Sequence, residues 1–141
     1  MSAVPQEFLA VSERFGGPVI QTLCATMKMD YETAKNLILK EGTSVEGIYV
    51  CVRMGDDPGH DRMMRLVEAI DVLIANEDLS APIDRAIAYS IAVILHETEV
   101  QSTSWKEDRQ WREGGFFEDM IELQDKAFEY LQGSLDFDEP E

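Results

Sequence analysis

Apolar residues recur along this chain at three- and four-residue intervals, and Gly and Pro cut the pattern into segments. That spacing belongs to helices that bury one face. Pro5 opens a first segment that runs to Phe15 and is closed by Gly16-Gly17. Pro18 takes the favoured first position of a second helix, with Val19, Ile20, Leu23, Cys24 and Met27 on one side. Asp30 is placed to cap a third, where Tyr31, Ala34, Leu37 and Ile38 repeat and Gly42 marks the end. Ser44 is the cap candidate for a short fourth segment, with Val45, Ile48 and Val52 inward. Within it Ile48-Tyr49-Val50-Cys51-Val52 is rich in β-favouring residues, so a short β segment at 48–52 is the competing expectation.

The second half is read the same way. After the polar loop Gly55-Asp56-Asp57-Pro58-Gly59, residues Met63, Leu66, Val67, Ile70, Leu73 and Ile74 trace an amphipathic helix, with Asp61 as its cap. From Ala86 to Leu95 the sequence AIAYSIAVIL has no polar face, which places a helix over 82–96 at the centre of a bundle. A polar connector follows. Ser104-Trp105-Lys106-Glu107 then has capping-box spacing for a short helix ended by Gly114-Gly115. Phe116 to Leu131 forms the last helix, stopped by Gly133. The expected fold is a single all-α domain over 1–133, a bundle of six to eight helices around 82–96. An acidic tail without fixed structure occupies 134–141.

Charge adds an address to this outline. The chain has 141 residues, 28 of them acidic and 12 basic, for a net charge of −16. Residues 1–95 hold 14 acids and 8 bases, a net −6, whereas 96–141 hold 14 acids and 4 bases, a net −10. Such a balance argues against direct nucleic-acid binding, which needs cations to displace counterions from phosphates. It argues equally against docking on anionic lipid. MSAVPQEF has neither the basic start nor the apolar stretch of a secretory signal, and no run is long enough to span a membrane. Two cysteines, Cys24 and Cys51, are too few for a disulfide framework, so reduced thiols and a cytoplasmic location are expected.

On the last helix Glu118, Glu122, Asp125 and Glu129 fall within about 60° of one another. Phe117, Met120, Ile121, Phe128 and Leu131 are assigned to the opposite, buried half. The four carboxylates form a candidate contact row for a basic protein partner, with Trp111 and Trp105 as anchor candidates, since tryptophan is enriched at binding hot spots. The function expected from this pattern is non-enzymatic. An inhibitor of the immunity or antitoxin kind needs carboxylates on a rigid scaffold to fill a toxin's positively charged cleft, and no chemistry of its own.

Catalytic patterns are sparse. Asp56, Asp57, His60 and Asp61 bring metal-ligating groups into one loop but lack the spacing of a calcium-binding loop, and His96-Glu97-Thr98-Glu99 lacks the second histidine of a zincin. Glu68/Asp71 and Glu122/Asp125 have the i, i+3 spacing that holds magnesium in all-α pyrophosphohydrolases, without the Glu-x-x-Glu pair of those enzymes. No cofactor or metal is expected, and a metal-dependent hydrolase is the lesser alternative.

One stretch resembles known modules. Met29-Asp30 followed by Thr33, Ala34 and Leu37 is similar to a helix-turn-helix. The wider segment 23–52 resembles a ubiquitin-associated-like three-helix module, in which Met27-x-Met29 stands for the usual Met-Gly-Phe turn and Val45-Glu46 for the start of the third helix. Lys28 occupies the turn position where either family has glycine. The resemblance implies a small helical adaptor with Met27 and Met29 near a partner surface.

Overall fold

A computed structural model describes residues 29–108 and 115–135, with the backbone alone for 104–108. The expected helices before Met27 lie outside the described residues, as do Trp111 and the tail from Asp136 onward. Within the described residues the fold is all-α, with four long helices and one of six residues: α1 (Tyr31–Thr43), α2 (Ile48–Arg53), α3 (His60–Asn76), α4 (Arg85–Asp108) and α5 (Gly115–Gln132). This is fewer than the six to eight expected, and two local corrections follow, of which the second lowers the count.

The first correction is at α2. Ile48–Arg53 is helical, and no strand occurs among the described residues. Its β-branched residues have no partner strand, whereas the helix buries Ile48 and Val52 completely, one turn apart. The first free amide of α2, at Ile48, donates to the Glu41 carboxylate at 2.9 Å. Tertiary capping and packing thus override β propensity.

The second correction is at α4, which runs unbroken from Arg85 to Asp108 through the polar stretch expected to be a connector. Ser104 lies inside the helix rather than at a cap. No Gly or Pro falls between Pro82 and Gly114, and the hydroxyls fold back onto the backbone. Thr98 donates to the Ile94 carbonyl at 2.9 Å, and Ser102 and Thr103 donate to the Glu99 carbonyl. At the other end Asp84, not Pro82, marks the start, accepting from the Ala86 amide at 2.8 Å.

Four helices form a ring. α1 packs on α3 and α4, α5 packs on the same two, and the pairs α1/α5 and α3/α4 lie diagonally across. Leu66 and Ile70 of α3, Ile91 and Ile94 of α4, and Leu123 and Ala127 of α5 converge at the centre with no room for water. α2 fills the angle between α1 and α4. α3 buries a continuous apolar face, with Met63, Leu66, Val67, Ala69, Ile70, Val72 and Leu73 all buried. Each fully buried large side chain contributes roughly 1.5–3 kcal/mol. α4 is therefore not the enclosed central helix. Ile87, Ile91 and Ile94 are buried, but Ala86, Tyr89, Ala92 and His96 face solvent.

Ion pairs and close approaches fix the register. α1 runs antiparallel to α3: the Tyr31 hydroxyl reaches Glu77 at one end, and Glu41 takes a two-pronged bond from Arg62 at the other, at 2.8 and 3.0 Å. α1 crosses α4 at Gly42, where an added Cβ would stand 2.5 Å from the Ser90 backbone.

Candidate partner-binding face

α5 spans Gly115–Gln132 and is followed by Gly133, whose φ of +59° lets the Ser134 amide turn back to the Leu79 carbonyl at 3.2 Å. Between them Phe116, Asp119, Met120, Leu123, Ala127 and Tyr130 are buried, and the side turned outward carries Glu118, Glu122, Asp125 and Glu129. The four carboxylates share one exposed face. Glu129 is the only one of them with a cation at ion-pair distance among the described residues. Lys126, whose Nζ lies 3.3 Å from Glu129 and 3.1 Å from Asp71 of α3, ties this edge of the face to the bundle. The Asp71 hydrogen bond is the main reason the Lys126 pKa is raised.

The other edge differs from expectation. Ile121 is 54% exposed and Phe128 57% exposed, although the sequence pattern puts both in the buried half. At about 100° per residue these two residues, one heptad apart, fall within about 90° of the axis of the acidic row and far from that of the buried side chains. Beside them Gln124 donates to Glu99 of α4 at 2.8 Å. The face is thus acidic along its middle, apolar along one flank and basic at a single point on the other. The i, i+7 spacing of Ile121 and Phe128 was the available signal.

Of the anchor candidates, Trp105 belongs to the last turns of α4, where only backbone is described, and Trp111 lies outside the described residues. Met29 of the adaptor-like stretch is half-buried against the core. Ala34 and Ile38 are fully buried, so these two positions are spent on packing, whereas Val45, expected to face inward, is 84% exposed.

The loop acids and the helical acid pairs do not converge. The Asp57 carboxylate accepts from the Gly59 amide at 2.8 Å, and His60 Nδ1 sits 2.9 Å from the buried carboxylate of Asp119 at the start of α5. Gly59, with φ +93°, precedes α3 where Asp61 was expected to cap it. Glu68 lies beside the Met29 amide and Asp71 pairs with Lys126. Among the described residues no three His, Cys, Asp or Glu side chains gather in a way that could hold a metal ion. Cys51 is half-buried against the Asp56 carbonyl, and burial raises its thiol pKa. The His60–Asp119 pair spans 59 positions, and no short-range pattern announces it.

Two open hollows of about 340 Å³ lie elsewhere. One is between the α3–α4 loop and the end of α5; the other is between α2 and α4, bordered by Tyr49, Arg53, Tyr89 and His96. In the second, Arg53 pairs with Glu97 at 2.7 Å and stacks over Tyr49. That bond is the main cause of the lowered Glu97 pKa.

Fold and face together define a class: a small acidic helical bundle with one carboxylate-lined helix turned to solvent. No protein family, curated protein or solved structure matches the chain. No helix among the described residues is long and apolar enough to cross a membrane.

Proposed function

We propose that this chain is a non-enzymatic binding protein that engages a basic protein through the outer face of α5, in the manner of an immunity protein or antitoxin that covers a positively charged cleft. The observation that carries the reading is the composition of that face. Glu118, Glu122 and Asp125 have no cation at ion-pair distance among the described residues, and they run beside the exposed Ile121 and Phe128. Carboxylates steer a basic partner and set its register, while the apolar flank supplies area that gains by desolvation. An acidic face that served only solubility has no need of a large aromatic side chain left in water. A partner of this kind presents Lys or Arg around an apolar recess sized for a phenyl ring.

Affinity capture at low salt tests the reading. The wild-type chain and the double reversal Glu122→Lys/Asp125→Lys are immobilised side by side, and retained proteins are identified by mass spectrometry. The proposal expects a basic protein held by the wild type and lost by the double reversal, with unchanged helical circular dichroism. The same proteins retained by both would remove the acidic face from the account.

A further inference from the structure

Among the described residues the outer face of α4 is largely apolar and exposed. Tyr89 is 62% and Val100 47% exposed, Ala92 and His96 face solvent with them, and Ala88 and Leu95 are half-buried at the margin. On a chain of net charge −16 this strip carries few charges, and their placement is specific. Arg85 stands seven residues before Ala92 and Glu99 seven residues after it, all three exposed. At about 100° per residue they share one face, within about 40° of each other. Among the described residues Arg85 forms no ion pair, and the Glu99 carboxylate is bonded only to the neutral amide of Gln124.

A pattern of cation, small residue and anion at equal spacing is complementary to itself when reversed. Two α4 helices packed antiparallel about a two-fold axis at Ala92 bring Arg85 of one copy beside Glu99 of the other, twice. Ala88 and Ala92 allow close approach at the crossing, and Tyr89 lies over Leu95 and His96 of the opposite copy. Isologous contacts of this form are the commonest route to a homodimer. Charge selects the same occupant: two strongly acidic chains can meet here without setting carboxylate against carboxylate, which the α5 face does not permit.

We infer that the α4 face joins two copies of this chain into an antiparallel dimer centred on Ala92. The contact is centred on a different helix from the α5 face and meets the edge of that face only where Gln124 donates to Glu99.

Sedimentation velocity on the full chain over a wide range of loading concentrations, near physiological salt, tests this. The wild type shifts from monomer to dimer as concentration rises. Arg85→Glu and Glu99→Arg each weaken self-association about tenfold or more, and the two combined restore it. The sign for Glu99→Arg is diagnostic. That change removes negative charge from both chains, so general repulsion alone predicts stronger association, whereas the pairing predicts weaker. Both sites are exposed, and circular dichroism verifies that each variant keeps its helices. A wild type that stays monomeric at every concentration overturns the inference and leaves the face to residues 1–28 of the same chain or to a different protein. A combined variant no better than the single ones overturns it as well.

Discussion

Gly42 shows how much of this fold is decided by one missing side chain. A methyl added to it would stand 2.5 Å from the Ser90 backbone, so α1 and α4 would have to move apart. Gly42→Ala is expected to destabilise by at least about 1–3 kcal/mol, the range for inserting a methyl into a packed contact. A lowered thermal midpoint checks this; an unchanged one would mean that the crossing is loose. Glu41 is the polar counterpart, 3% exposed and holding both Arg62 and the first amide of α2. Its bond is the largest reason the Arg62 pKa is raised. Glu41→Ala leaves that amide without its acceptor and the half-exposed guanidinium with only the Glu46 carbonyl, an expected loss of roughly 1–3 kcal/mol. Urea unfolding should show a large drop in midpoint, and Arg62→Met should recover stability in the Glu41→Ala background. Neither role was legible in the sequence. Gly42 reads as a helix end because glycine is a common stop, yet its partner stands 48 residues away, where no local pattern reaches.

Among the helices, the apolar period was a sound guide where one face was clearly wet. α3 buries Met63, Leu66, Val67, Ile70 and Leu73 as the spacing required, and Asp30 caps α1 through the Thr33 amide at 2.7 Å. The pattern misled where it was uniform. The run Ala86–Leu95 was apolar all round and suggested a fully enclosed helix, because periodicity cannot separate a buried face from one that awaits a partner. It also misled at the margins of α5, where Ile121 and Phe128 look like core by type and lie on the wet side by angle. The end of α3 holds a further device. Tyr31 of α1 and Tyr130 of α5 both donate to the Glu77 carboxylate, at 2.7 and 2.6 Å, clasping three helices together. The Glu77 bond pushes the Tyr31 pKa up to about 12, and burial with the same bond raises that of Tyr130 further. Both phenols ionise less readily folded than unfolded, so their stabilisation is complete below pH 10 and is lost as pH rises through the folded values. The urea midpoint is expected to fall between pH 10 and 12, and to fall less steeply in Tyr31→Phe/Tyr130→Phe. Equal slopes in the two proteins would show that the clasp does not couple to folding.

For the whole molecule, the question is what a net charge of −16 is for. The last third of the chain was already singled out by arithmetic on the sequence. Among the described residues four of those acids share one helix face, flanked by exposed apolar residues on one side and tied to α3 by a single lysine on the other. Which side chains flank the carboxylates was not legible, since that depends on how α5 is rotated against α3 and α4. Long-range attraction of this kind acts mainly on the rate of association and fades as salt screens it over about 10 Å at 0.1 M. The central claim is tested most directly by the association rate of the captured basic partner with wild type and with Glu122→Lys/Asp125→Lys, measured by stopped flow from low to physiological salt. The account predicts a wild-type rate that falls steeply with salt, and a double-reversal rate at least about tenfold lower at low salt with a flattened salt dependence. Equal rates for the two proteins at low salt would contradict it.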